Sequence, residues 1–258
     1  MKGSFLLISL IIAFASISDA QQLKVMSYNI RHGEDMNGKL DIEQIAAVIN
    51  ACKPDMVASQ EVDSVTNRNG KQDQMKELGR LTGLYYSFGS NFPYDGGTYG
   101  LGILSRYPLQ KTMNYRLPYY EGDPNGETRL MFMCEVQLPG GRQLRFGLVH
   151  LDYKTDTQRN IQVRHLLSQI AGNDSIATII AGDFNALPDD ECIKILKTRY
   201  MQLMENDTNA TYPSDSPVKK IDYIFLSADR KWEMIKQEVI NEQVASDHRP
   251  VLGVVKLK

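Results

Sequence analysis

Apolar positions along this chain change period repeatedly, and the changes mark strands alternating with helices. Leu23-Lys24-Val25-Met26-Ser27-Tyr28-Asn29-Ile30 has the pattern of a strand, and it ends at Asn29 before Arg31-His32-Gly33. Ile42, Ile45, Ala46 and Ile49 recur at helical spacing behind Asp41, a capping residue, so a helix is predicted through Lys53, closed by Pro54. Met56 to Val62 reads as a second strand with polar residues at its C-terminal end. A second helix follows from about Gln72 to Leu81, stopped by Gly83.

Residues 91–99 are rich in Gly and aromatic side chains and read as a loop feeding a strand, Leu101 to Ser105. Residues 107–126 lack periodicity and read as a long functional loop. Thr128–Leu138 and Gln143–Leu151 form a predicted hairpin across Pro139-Gly140-Gly141, the second strand ending in Val149-His150-Leu151-Asp152. A third helix is expected from Thr157 to Ala171, and a short one from Pro188 towards Tyr200. Between them runs the buried strand Thr178-Ile179-Ile180-Ala181-Gly182-Asp183, and further strands are expected at 220–226, around 238–240 and at 251–257. Without a repeat or linker to divide it, the chain from Gln21 to Lys258 reads as one domain.

The first twenty residues stand apart. Lys2, an apolar run from Phe5 to Ile17 and Ser18-Asp19-Ala20 match a secretory signal with a small-residue cleavage site. The run is short for a full span, so an exported domain beginning near Gln21 is expected, with an uncleaved anchor as the alternative. A bacterial host would place it in the periplasm or outside the cell. The formal net charge of −2 argues against a protein that lives on nucleic acid by electrostatics alone, though not against a hydrolase that visits phosphodiesters. Cys52, Cys134 and Cys192 show no framework or zinc spacing and read as mostly buried thiols.

Candidate chemistry lies in where polar residues interrupt the apolar runs. Asn29, Glu61, His150, Asp183, Asn185, Asp222 and the pair Asp247-His248 all fall at or near ends of predicted strands. One such residue is a turn former, whereas so many suggest a shared polar mouth. Positions i and i+2 of a strand share a face, which would aim Asp183 and Asn185 together. If the ends converge, Glu61, Asp183, Asp222 and Asp247 crowd carboxylates into one cleft, and like charges that close cannot all stay ionised without compensation. A divalent cation supplies it. Oxygen donors without paired Cys or His favour Mg²⁺ or Mn²⁺ over zinc, and such an ion suits phosphoester hydrolysis.

Gln60-Glu61-Val62, Gly182-Asp183-Phe184-Asn185, Ile221-Asp222-Tyr223 and Ser246-Asp247-His248-Arg249-Pro250, in this order, resemble the endonuclease/exonuclease/phosphatase (deoxyribonuclease I-like) superfamily. Tyr28-Asn29-Ile30 and His150-Leu151-Asp152 fit the same pattern. The resemblance implies an α+β, four-layer α/β/β/α sandwich with two mixed sheets face to face and the site at one end. It also implies roles. Glu61 would be the principal metal ligand, with Asn29 and Asp247 near the ion. Asp183 would deprotonate the attacking water, and Asn185 would hold that water or a phosphate oxygen. His248 would pair with Asp222, and His150 would hydrogen-bond the phosphate. Arg129 is a candidate phosphate ligand against a surface role, and Tyr99 against a packing role. Asp152 is read as either a support for His150 or a turn cap. His32, Arg106 and His165 are left out of the site.

The expected activity is that of an exported, monomeric, metal-dependent phosphoesterase, a diesterase rather than a monoesterase. Its substrate stays open among nucleic acid, a phospholipid head group as in sphingomyelinases, and a small phosphorylated molecule. A non-catalytic binding module on the same fold is the alternative of another class. Such modules lose acid, amide or histidine positions that are all present here.

Overall fold

The computed structural model describes residues 22–119, 127–171, 176–206 and 208–258; the expected signal segment lies outside them. Twelve strands form two six-stranded sheets. The first sheet has the order β11-β12-β1-β2-β4-β3. Its strands are β1 (Gln22–Asn29), β2 (Met56–Ser64), β3 (Tyr85–Tyr94), β4 (Gly97–Ser105), β11 (Trp232–Val239) and β12 (Val251–Leu257). The second has the order β5-β6-β7-β8-β10-β9. It comprises β5 (Leu109–Leu117), β6 (Arg129–Gln137), β7 (Gln143–His150), β8 (Ala177–Asp183), β9 (Tyr200–Gln202) and β10 (Asp222–Ser227). β1 runs parallel to β2 and β7 parallel to β8, and every other pairing is antiparallel.

Each sheet is apolar on both faces, which forces the layering. Val25, Met56, Ala58 and Ile103 of the first sheet meet Leu130, Phe132, Phe146, Ile179 and Ile224 of the second in a shared buried core. The alternate residues of the first sheet, Met26, Tyr28 and Val57, pack outward on helices α1 (Ile42–Cys52) and α2 (Gln74–Thr82). Those of the second, Met131, Val149 and Ile180, pack outward on α3 (Asp156–Ile170) and α4 (Glu191–Lys197). Period-two alternation with both faces buried gives helix, sheet, sheet, helix: the four-layer sandwich expected. Asp41 caps α1 by accepting from the Gln44 N–H, and Gly83 ends α2 in the left-handed region. Cys134 and Cys192 are buried, Cys52 is half-buried, and all three are free thiols. No described helix is long and apolar enough to cross a membrane.

Two stretches expected as loops are strands. Residues 91–99 form the tip of a β3–β4 hairpin, turning through Asp95 and Gly96 at φ 44° and 73° with Tyr94 paired to Gly97. The Asp-Gly dipeptide is the standard signal of a two-residue hairpin turn, hidden here among aromatic residues. Within 107–126, residues 109–117 form β5, an edge strand with mostly exposed side chains that need not alternate; residues 120–126 lie outside the described ones. The strand expected around 238–240 begins earlier, at Trp232.

Where β7 and β8 converge, Gly182 is held against its neighbour. A Cβ there would sit 2.1 Å from the Val149 carbonyl oxygen, a backbone atom unable to yield cheaply. Gly182→Ala is therefore expected to destabilise the fold by ~2 kcal/mol or more, read as a lowered midpoint in urea unfolding. A midpoint within error of wild type would refute that close approach.

Candidate active site

The two parallel pairs place like ends together. β1 and β2 leave the first sheet, and β7 and β8 the second, at the same edge of the sandwich. β10 enters there antiparallel, with Asp222 opposite Asp183, while His150 is Asp183's partner across the parallel pair. Asp247 and His248 lie just before β12, the antiparallel neighbour of β1. The result is a cleft of about 780 Å³ whose lining includes Glu61, Tyr99, Arg129, His150, Asp183, Asn185, Asp247 and His248. Asn29 and Asp222 are buried behind it, bonded to Asp183 and His248 respectively. A depression of about 590 Å³ between α3 and α4 gathers no comparable set of groups.

Two site residues arrive by routes that strand geometry does not predict. Glu61 lies within β2 rather than at its end, at a register shift between Ser59 and Val62 and with φ 57°. This is a β-bulge, a device that re-aims one side chain while the ladder continues. Asn185 lies beyond the end of β8 with φ 49°, so its position does not come from i, i+2 alternation. Its backbone N–H donates to Asp183 Oδ1 at 2.9 Å, and its amide donates to the Leu151 carbonyl at 3.1 Å.

Asp183 is the hub. The Asn29 amide nitrogen donates to its Oδ2 at 3.2 Å and to Glu61 Oε1 at 3.0 Å, bridging the two carboxylates. The Nε2 atoms of His150 and His248 stand 3.6 and 3.7 Å from the same Oδ2. Burial, then the charge of Asp222, pushes the Asp183 carboxyl up to about 7. His248 experiences the opposite balance. Burial alone would lower it, but Asp222 first and Asp183 second raise the imidazole to about 10. Its Nδ1 lies 2.9 Å from Asp222 Oδ2, which also accepts from Thr211 Oγ1 at 2.5 Å. His150 has no such support: burial, then the positive charge of Arg129, drives it well below 6.5, and its Nδ1 has no hydrogen-bond partner among the described residues. The site thus holds a cationic imidazole, a neutral one and a carboxyl poised near neutrality.

Asp183, Asp222 and His248 offer ligand atoms within 4.8 Å of one another and form an acidic site that could hold a metal ion. However, Asp222 Oδ2 is already engaged by His248 and Thr211, so this trio is a hydrogen-bonded relay. The carboxylates facing the cleft are better placed. Glu61 Oε2 has His32 Nδ1 at 4.0 Å, and Asp247 Oδ2 has Arg31 Nε at 3.9 Å, both beyond hydrogen-bond reach. Oxygen atoms left without a hydrogen bond among the described residues, on two carboxylates, suit a hard cation. The Asn29 oxygen, by contrast, accepts from the Arg31 N–H at 3.1 Å.

Several residues that hold the site were invisible in the sequence. Thr211 fixes Asp222 as described, and Ser246 Oγ donates to the Asn29 carbonyl at 2.7 Å. Gln74 donates to the His32 carbonyl at 2.5 Å and accepts from the Asp63 N–H at 2.8 Å, tying the turn after β1 to the strand just past the bulge. Lone Ser, Thr and Gln residues carry no spacing signal. His32, expected outside the site, sits beside Glu61. Arg106 pairs with Asp55 away from the cleft, as a structural residue would. Asp152 accepts from the N–H groups of Lys154 and Thr155, so it caps a turn and does not support His150. Arg129 is 2% exposed with Glu127 on Nη2, which is no surface role, and Nε and Nη1 lack partners among the described residues. Tyr99 both lines the cleft and packs against Phe92, with ring centroids 5.3 Å apart.

Residues 26–248 match the model of a family described as Endonuclease/Exonuclease/phosphatase family. The chain belongs to this family. Solved structures share the fold at low identity. A functionally unknown conserved protein from Enterococcus faecalis V583 aligns over 92% of this chain and 100% of its own, at 18% identity and TM-score 0.77. An endonuclease/exonuclease/phosphatase from Beutenbergia cavernae aligns over 92% of this chain and 72% of its own, at 20% identity and TM-score 0.73. A mannosyl-6-phosphatase from Bacteroides thetaiotaomicron VPI-5482 aligns over 90% of this chain and 99% of its own, at 17% identity and TM-score 0.74. The endonuclease/exonuclease/phosphatase family is one of phosphoester hydrolases, and the chain carries its hydrolase fold in the two-sheet sandwich described above.

The His248–Asp222 contact raises the imidazole above its unfolded value, so the stability it contributes is full below pH ~6.5 and lost as pH rises through about 10. Asp222→Asn should lower the His248 pKa by ~1–3 pH units in an NMR titration of the metal-free protein. An unchanged titration would remove Asp222 as the cause. Asp183 carries the reverse cost: its ionised form is disfavoured in the fold, so the penalty grows between pH ~4 and about 7. Asp183→Asn without metal should therefore melt above wild type at pH 8, by ~2–4 °C per kcal/mol relieved, with the gap closing towards pH 4. A mutant melting below wild type at pH 8 would contradict this.

Proposed function

We propose that this protein is an exported, Mg²⁺- or Mn²⁺-dependent phosphoester hydrolase, with a phosphodiester as the first expectation, acting as a monomer. The observation that carries this reading is Asp183, a buried carboxyl near neutrality between two imidazoles and one bridging amide from the open carboxylate of Glu61. Export rests on the apolar segment from Phe5 to Ile17 and its small-residue end.

Glu61 and Asp247 would hold the ion, with Asn29 setting the Glu61 carboxylate through its bond to Oε1. When bound, the ion would neutralise charge developing on the phosphoryl group. Asp183 accepts the proton of the attacking water, a task suited to a base whose pKa lies near the working pH. Asn185 holds Asp183 Oδ1 by its own N–H, leaving Oδ2 as the basic atom towards the imidazoles. His248, kept cationic by Asp222, donates to a phosphoryl oxygen or the departing one. Neutral His150 donates a hydrogen bond from the other side. Arg129 supplies a fixed positive charge, and Tyr99 borders the same space. Such preorganised donors stabilise negative charge as it accumulates.

Turnover of bis-p-nitrophenyl phosphate in Mg²⁺ and in Mn²⁺, against EDTA, tests the reaction. Asp183→Asn and His248→Ala should each lower kcat by ~10²–10⁴. No turnover in either ion, or variants equal to wild type, would overturn the assignment. Glu61→Gln should raise the metal concentration for half-maximal activity by at least ~10-fold, the scale of ~1.4 kcal/mol, while the melting point in EDTA stays within a few degrees. An unmoved metal titration would take Glu61 out of the metal site.

A further inference from the structure

One wall of the cleft carries more than hydrolysis of the phosphate itself uses: Arg129 serves both the phosphate and this wall, and Glu127, Tyr153, Asp156 and Arg159 are left over. Two arginine–carboxylate pairs and one exposed aromatic ring stand there together. Arg129 Nη2 bonds Glu127 Oε2 at 2.8 Å, and Arg159 Nη2 bonds Asp156. Both arginines are almost fully buried, and both leave nitrogens without a hydrogen-bond partner among the described residues: Nε and Nη1 of Arg129, and Nε of Arg159. Tyr153, 57% exposed, lies between the two pairs in sequence, with its ring centre 6.0 Å from the Arg129 guanidinium carbon. All five residues line the same cleft as His150, Asp183 and His248.

We propose that this wall receives the alcohol half of the substrate and that this alcohol is a neutral polyol, a sugar or cyclitol, on a phosphate bound at Asp183. The inference rests on the phosphoester reading above. Three ligand chemistries compete for the wall, and the charges separate them. A polyanion such as an oligonucleotide would bring further phosphates to a wall whose arginines are already matched by Glu127 and Asp156, with Asp190 beside them, so it offers those phosphates no surplus positive charge. A cationic head group would need surplus negative charge or several aromatic faces. Here, Glu127 and Asp156 are already neutralised by their arginines, and of the tyrosines that line the cleft, Tyr99, Tyr153 and Tyr212, Tyr153 alone is largely exposed. A polyol fits both halves of each pair. Arginine is a donor only and a carboxylate an acceptor only, whereas a hydroxyl both donates and accepts. Two such pairs and a ring in one cleft offer alternating partners to adjacent hydroxyls, while the C–H face of a sugar ring covers Tyr153.

Binding and turnover separate this proposal from the one it rests on. Calorimetry with the Asp183→Asn protein and Mn²⁺ would compare a hexose 6-phosphate and an inositol phosphate with ethyl phosphate, phosphocholine and a short oligodeoxynucleotide. The expected result is at least ~10-fold tighter binding of the polyol phosphates than of ethyl phosphate, the scale of one or two added hydrogen bonds. Tyr153→Ala and Asp156→Asn, introduced into that protein, should each reduce this ratio several-fold. In wild type, kcat/KM should rank the same alcohols in the same order when they are supplied both as these monoesters and as their p-nitrophenyl diesters. Equal binding of ethyl and polyol phosphates, or preference for phosphocholine or the oligonucleotide, would overturn the polyol assignment even if bis-p-nitrophenyl phosphate is hydrolysed. A polyol preference in binding without turnover of any ester would instead uphold the wall and overturn the hydrolase.

Discussion

Everything at the catalytic end depends on the direction of two strand pairs. β1 beside β2 and β7 beside β8 are the parallel neighbours in otherwise antiparallel sheets. A parallel pair requires a crossover, and α1 and α3 supply those crossovers on the outer faces. The same helices thus close the outer cores and deliver Asn29, Glu61, His150 and Asp183 to one edge. Had either pair been antiparallel, its two polar ends would lie at opposite edges of the sandwich, a strand's length apart.

Bringing these groups together has an electrostatic cost that the local structure distributes unevenly. Asp222 is compensated by His248 and Thr211, and Glu61 keeps part of its carboxylate towards the cleft. Asp183 bears the remainder, buried and next to Asp222, which is why its proton affinity rises. The two histidines end up in different charge states although both flank one carboxylate oxygen. Environment alone makes that division: a carboxylate behind His248 and, among the described residues, no hydrogen-bond partner on His150 Nδ1.

The sequence was legible where burial is two-sided and periodic. Strands such as Thr178–Asp183 and helices such as that behind Asp41 announced themselves, because a continuous apolar run or a helical stripe can be buried in few other ways. The polar ends were legible for the same reason, since Asp183 and Asp222 interrupt runs that should otherwise be apolar. Edge strands were not: β5 exposes most of its side chains, and the β3–β4 tip is aromatic and half-open, so neither had a pattern to follow. The bulge at Glu61 was equally hidden. A left-handed residue within a strand is chosen by tertiary contacts, above all by Gln74, which lies on a different element. Hydrogen bonds from Thr211 and Ser246 depend on neighbours remote in the chain, which no local window contains.

β1 lies between β12 and β2, and the hydroxyl of Ser246 reaches the carbonyl of Asn29 across 217 positions of sequence. During synthesis, therefore, β1 waits for β12. A ribosome-bound chain lacking residues 251–257 has β1 open along one edge and has yet to set Asp247 and His248 against it. The cleft is consequently closed late, once β12 has been made and laid beside β1.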